Sequence, residues 1–429
     1  MKEAKSFRGR ITDILGSKTV NIFLILIELF AISEPAFLMT KFPGLTTYWR
    51  VVFTAAFVVV TVQMLSKLDL NDVLKLVLPL GAYIIIIVST YTNDGQLKSA
   101  VYRLWYYSYG LMLVCVHSRG DYKLFLRILR DVLLLLILAN LVTELIWPKG
   151  MYYTTRISGN KDSRYWLLGF KNGIPKYAVI SMTVSLVYAF ITKKKKDMII
   201  ALVTVAASAA TVVIIKSSSG VMGVGLMIVL LALLLIPKLK FILKYYRMRF
   251  FSIFMAVLFL GIVVTHVFLR NPLSSYVIRM LFHKNITLSN RIYIWDNIIQ
   301  MVLKNPLGGI GLQNGDINVQ LIGVTANATD AHDYYLEFLW EGGIGAFVLI
   351  VLFFVLMTEI LDRHKEDMKV KVLSAGLFSM MFIFITENCN NYYLWVFFGL
   401  MLFLPARFKK NELPIPKKER TKKAKGADV

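Results

Sequence analysis

The sequence predicts an all-α, polytopic membrane helix bundle of about twelve transmembrane helices, with a large extracytoplasmic loop that carries an amphipathic helix. Three observations predict it. The first is composition: over 429 residues the chain is 57% hydrophobic and 17% charged, with a mean hydropathy of +0.62. Soluble domains hold roughly 45–50% apolar residues. A soluble enzyme, a disordered chain and a fibrous repeat are therefore excluded. The second is a series of apolar runs, at about 20–39, 48–66, 72–92, 99–117, 131–148, 173–192, 198–215, 219–236, 250–268, 334–358, 372–388 and 392–408. Most reach the ~17 residues that a helix needs to cross hydrocarbon. The ~10-residue alternation of a membrane barrel is absent. The third is the placement of charge. The formal net charge is +23, and the Lys and Arg residues fall in short clusters between the runs.

Taken in order, the basic segment 1–18 precedes a run without a small-residue cleavage site, so it reads as the flank of a retained first span. With the N-terminus inside, 33 of the 49 Lys and Arg residues fall on the inner side. The positive-inside bias then puts both termini in the cytoplasm. The four lysines at 193–196 become a topology anchor rather than a nucleic-acid patch, and no nucleic-acid partner is expected. Residues 1–408 read as one transmembrane domain and 409–429 as a basic cytoplasmic tail near anionic lipid. Cys115 and Cys389 fall on opposite faces, so neither a disulfide nor a metal set is expected. Two outer loops are long, about 149–173 and about 270–333, and long loops in compact folds are usually functional. No internal repeat is visible, which weighs against transporters built from matching halves.

Within the larger loop, 290–304 reads as a helix capped by Ser289 or Asn290 and stopped by Pro306. Ile292, Ile294, Trp295, Ile298, Ile299, Met301 and Val302 share one face, and Asp296, Asn297, Gln300 and Lys304 share the other. Arg291 breaks the pattern, falling in the apolar face. A charge there needs an escape to water, a carboxylate partner or a ligand anion, and the sequence leaves the three open. The following Asn305, Pro306, Leu307, Gly308, Gly309, Ile310 and Gly311 form a tight turn, not a P-loop, because no Lys-Ser/Thr follows. The next helix would be capped by Thr329 or Asp330, putting His332 in its first turn, where the helix dipole disfavours a cation. A neutral imidazole there can accept a proton. Asp330, His332 and Asp333 are too close in sequence to converge on a metal. Tyr334, Tyr335 and Trp340 fit either a sugar site or an interfacial anchor. Glu337 and Glu341 follow as intramembrane carboxylates.

The stretches LSNRIYIWDNIIQMVLKNPLGGIGLQN (288–314) and DAHDYYLEFLWEGGIGAF (330–347), with LLGFKNG (167–173), resemble the O-antigen ligase and Wzy-type polysaccharide polymerase superfamily of bacterial membrane glycosyltransferases. Asp333 stands where that family usually has Asn. Ser217, Ser218, Ser219 and Gly220 stand where many members have Ser-Arg. The resemblance implies an enzyme of the bacterial plasma (inner) membrane that needs no metal or other cofactor. Its partners would be an undecaprenyl-pyrophosphate-linked oligosaccharide, membrane lipid and other polysaccharide assembly proteins. It implies catalytic roles for His332, as the base, and Arg291, on the pyrophosphate. With the family's second arginine missing, Arg156, Arg164, Lys171, Lys216 and Arg279 are the candidate second anion contacts, and Tyr335 is a candidate sugar contact. Polymerase is the first reading. Alternatives are an O-antigen or teichuronic-type ligase, a lipid-linked oligosaccharide flippase, and a cell-wall polymerase using Asp296 or Asp316.

Overall fold

The computed structural model describes residues 18–66, 69–153, 164–236, 245–266, 272, 276, 288, 290–324, 328–389 and 391–410. Each of the twelve apolar runs carries a helix. The chain runs α1 (Lys18–Ile32), α2 (Ala36–Lys41), α3 (Gly44–Ser66), α4 (Leu70–Thr92), α5 (Leu97–Arg119) and α6 (Tyr122–Ile146). A two-strand hairpin follows, β1 (Tyr165–Trp166) and β2 (Gly169–Phe170), then α7 (Ile174–Thr192), α8 (Lys195–Ile214), α9 (Ser218–Leu235) and α10 (Met248–Phe259). A π turn, Leu260–Val264, extends α10. The outer-loop helices are α11 (Arg291–Lys304) and α12 (Gly315–Ile322), and the chain finishes with α13 (Tyr334–Arg363), α14 (Met368–Phe384), α15 (Tyr392–Phe403) and α16 (Pro405–Lys410). Among the described residues, six helices are long and apolar enough to cross a membrane: α3, α4, α7, α8, α9 and α13. Thr19–Ile32, Met248–Val264 and Tyr392–Phe403 are shorter apolar helices.

Helix α7 is apolar on every side, and such a helix must be enclosed. It packs against α6, α8, α9, α14 and α15 at the centre of the bundle. Helix α6 begins nine residues before its apolar run, because Asp121 caps it by accepting the Leu124 N–H at 3.0 Å. Its basic first turns are helical but hidden from a hydropathy reading. The hairpin was also invisible, being only two residues per strand. Asn140 on α6 holds its turn by accepting the Leu168 N–H at 3.0 Å.

The run 334–358 reads as one uninterrupted span, yet α13 is broken at Gly343, whose φ of 66° and ψ of −167° are open essentially only to glycine. A break inside hydrocarbon leaves backbone groups without partners, and each costs several kcal/mol unless something reaches it. The turn after α11 reaches it. Ile310 and Gly311 donate their N–H groups to the Trp340 and Glu341 carbonyls, each at 2.9 Å, and Ile344 donates to Pro306 O at 2.8 Å. The fit requires glycine on both sides. A Cβ on Gly343 would lie 2.5 Å from Leu307 O, and one on Gly309 (φ +59°) 2.6 Å from Gly343 N. The turn also locks onto α4: Ser89 donates to Gly308 O, and Leu312 donates to Thr90 Oγ1 at 2.8 Å.

Gly343→Ala is therefore expected to lower the stability of the detergent-solubilised protein by more than the ~1–3 kcal/mol of backbone strain alone. Gly225→Ala on α9, where a Cβ meets nothing within 4 Å, should be neutral or mildly stabilising. Equal melting temperatures for the two variants would refute the interlock.

Candidate active site

Helix α11 forms as its periodicity predicts. Ile294, Trp295, Ile298 and Val302 are the buried face, and Asn305 ends the helix before Pro306. Asn290 occupies the cap position in the left-handed conformation but makes no side-chain cap bond. Trp295 donates its indole N–H to Ala331 O at 3.1 Å, tying α11 to the segment before α13. Arg291, one turn earlier on the same face, is thereby held beside that segment.

Of the three environments open to Arg291, the structure shows a carboxylate. Its Nη2 donates to Glu387 Oε1 at 2.8 Å. Glu387, 5% exposed, lies just beyond α14. The same oxygen accepts from Ser219 Oγ at 3.2 Å, and Oε2 accepts from Asn172 Nδ2 at 3.1 Å. Asn172 belongs to the LLGFKNG stretch and Ser219 to the serine run that replaces the family's Ser-Arg, so both departures and matches meet on one carboxylate. Asp296 is not the partner of Arg291. It faces His266, whose Nε2 lies 2.9 Å from Asp296 Oδ1.

A second cation lies alongside. Lys176, in the first turn of α7 and 5% exposed, directs Nζ to Asn388 O at 3.3 Å, next to Glu387. It was not among the sequence candidates. The signal was present: a lysine in the first turn of an apolar span opposes the helix dipole and needs a reason. Of the candidates themselves, Lys216 and Arg164 are exposed and Lys171 is half-buried. Arg156 and Arg279 lie outside the described residues. Tyr335 makes none of the hydrogen bonds of this cluster. It packs on Phe259, Phe354 and Phe384 at the rim of an apolar groove between α10 and α13.

The start of α13 differs from expectation. The cap is Asp333, whose Oδ1 accepts the Leu336 N–H at 2.7 Å, so His332 precedes the helix and is not in its first turn. Thr329 and Asp330 are not the cap: Asp330 Oδ1 instead accepts the backbone N–H of His332 at 2.8 Å and lies 3.1 Å from His332 Nδ1. Glu337 turns back to take the Ala331 N–H at 2.8 Å. His332 adopts φ +50°, a left-handed conformation uncommon for a residue with a Cβ. Asp330 thus flanks the Nδ1 edge of the ring, and Nε2 lies on the opposite edge. Glu341 is spoken for, accepting Arg103 Nη1 at 2.7 and 2.9 Å. Asp333 is fully buried, with Oδ2 unpartnered among the described residues, and burial pushes its carboxyl well above the usual carboxylate range.

The bundle and this cluster define a polytopic membrane protein with an anion-suited, histidine-bearing site at one end. Residues 202–351 match the family model described as O-antigen ligase, a segment that contains Arg291, the glycine interlock and His332. Over that segment, about a third of the chain, the protein is similar to the O-antigen ligase family. No curated protein and no solved structure matches the chain.

Two outcomes follow from this geometry. Arg291→Ala strands a buried carboxylate. It should destabilise the ligand-free protein by about 1–3 kcal/mol, below the ~3–5 of a fully buried pair because Arg291 is 19% exposed. Adding Glu387→Gln should restore part of the loss in thermal melts. For Asp333, a folded pKa raised above the unfolded ~3.9 gives stability that is full below that value and lost as pH rises. Asp333→Asn keeps the cap acceptor without the charge. Its melting temperature should gain on wild type between about pH 5 and pH 8, and a constant difference would contradict a buried, neutral Asp333.

Proposed function

We propose that the chain is a Wzy-type polysaccharide polymerase. It transfers a glycan from a polyprenyl-pyrophosphate donor to a hydroxyl of a lipid-linked acceptor on the outer face of the bacterial plasma membrane. The observation that carries the reading is a pair of cations, Arg291 on the Glu387 carboxylate and Lys176 on the neighbouring Asn388 carbonyl, with Arg291 tied through Trp295 and Ala331 to the His332 segment. The surplus positive charge suits a pyrophosphate leaving group, whose developing charge needs fixed donors. Arg291 uses its planar fork, and Lys176 takes the place of the arginine that the serine run lacks. Glu387 positions Arg291 before the donor arrives.

His332 Nε2 removes the acceptor proton as the hydroxyl attacks the anomeric carbon, and Asp330 holds the ring and stabilises the imidazolium. The bond to pyrophosphate breaks as the glycosidic bond forms. A single displacement inverts the anomeric centre, and no metal is needed. The apolar groove of about 540 Å³ between α10 and α13 opens next to Tyr335 and suits the polyprenyl chain. The charge bias supports twelve spans with both termini inside, and so an outer location for His332. The O-antigen ligase description of the family favours a second reading, transfer to a different acceptor by the same chemistry.

The test is incubation of the purified protein with a lipid-linked repeat unit in the presence of chelator. A ladder of lengthening products is expected from wild type. His332→Asn accepts the left-handed backbone but offers no base, so it should fold normally and lose about 10²–10⁴-fold in turnover. Undiminished turnover in His332→Asn would remove the base role, and a single-addition product without a ladder would favour the ligase.

A further inference from the structure

A second cavity of about 460 Å³ lies away from the Arg291 cluster, between the coil before α2, the first turns of α3 and α5, Leu312–Gln313 and the start of α15. Its volume falls in the ~300–1,000 Å³ range of small-ligand sites. Its walls are unlike those of the groove between α10 and α13, where Ile253, Met255, Val351 and Phe354 suit hydrocarbon. Here Tyr102, Tyr106 and Tyr392 supply flat rings, while Arg50, Arg103 and Gln96 supply planar polar groups. Tyr106 and Tyr392 stack at 4.5 Å, and the Arg50 guanidinium sits 5.4 Å over Tyr102. Arg103 is fixed by Glu341, itself about two helical turns beyond the Asp333 cap. A sugar ring presents C–H groups on its faces and hydroxyls on its rim. Aromatic platforms interleaved with Arg and Gln match both, the rings taking the faces and the planar groups taking vicinal hydroxyls in pairs.

The cavity is tethered to the reaction centre. Glu387 and Tyr392 are five residues apart, so their backbones are within about 16–18 Å even if the connection is fully extended. Leu312 and Gln313, on the opposite wall, continue directly from the glycine turn that plugs α13. A short oligosaccharide bridges such a gap.

We propose that this cavity is a saccharide-binding subsite, holding the glycan of one substrate several rings from the reacting bond. The proposal rests on the glycosyl-transfer reading above. The primary test is direct binding of the full-length protein in nanodiscs to an array of defined neutral, amino and acidic oligosaccharides. Wild type and His332→Asn should retain one structural class. Tyr102→Ala and Gln96→Ala, the latter an exposed residue whose loss leaves the fold intact, should each retain it about tenfold less well, the scale of one lost contact of ~1.4 kcal/mol. No oligosaccharide retained, or equal retention by both variants and wild type, overturns the subsite. Array binding without any transfer activity overturns the glycosyl-transfer reading and leaves the subsite standing. Where transfer occurs, a raised KM at unchanged kcat in Tyr102→Ala assigns the cavity to donor or acceptor, according to which substrate is varied.

Discussion

The arrangement depends on closing one gap in a helix. Helix α13 lies along α4 and next to α10, α11, α14 and α15, so its path sets theirs. Its break at Gly343 would be intolerable in a low-dielectric surround without outside partners, because the Ile344 N–H that would serve the Trp340 carbonyl turns to Pro306 O instead. The turn after α11 supplies the missing donors from Ile310 and Gly311 and takes back the Ile344 N–H on Pro306. That reciprocal exchange fixes where α11 ends, which fixes where Arg291 begins. Every other feature of the site is positioned from there.

Buried charge elsewhere in the bundle follows one rule. Arg103 meets Glu341, Arg119 meets Asp72 and Arg130 meets Asp197, each within 2.7 Å. Such pairs add little net stability over apolar packing, but breaking one is costly, so they fix which helix faces which. Lys176 departs from the rule: its ammonium meets the Asn388 carbonyl oxygen, not a carboxylate. A low-dielectric wall on the protein side strengthens whatever that charge attracts.

The sequence made the helices readable because apolar runs and period-3.6 faces are local signals. The buried face of α11 was legible residue by residue, and so was the misplacement of Arg291 within it. Its partner was not, since Glu387 lies 96 positions away on another span and no local pattern links them. The cap of α13 was misread because Thr329, Asp330 and Asp333 are all plausible caps, and only the three-dimensional partners decide. Asp330 is occupied by His332 and Ala331 by Glu337, which leaves Asp333 to the helix. The break at Gly343 was hidden because the apolar run 334–358 continues straight through it. What carries the helix onward is a turn more than thirty residues upstream.

The grip of that turn on α4 also bears on how the chain is assembled. Thr90 and Leu312, joined by a hydrogen bond, are 222 positions apart. At a synthesis rate of ~5–20 residues per second, α4 waits roughly 10–45 s after emerging before its partner exists. Contacts of such separation form late, after the loop closures that bring them together. During that interval the Ser89 and Thr90 end of α4 stands without the backbone that later seals it. The site around Arg291 and His332 is thus among the last parts of the bundle to close, and only once α13 has entered beside α4.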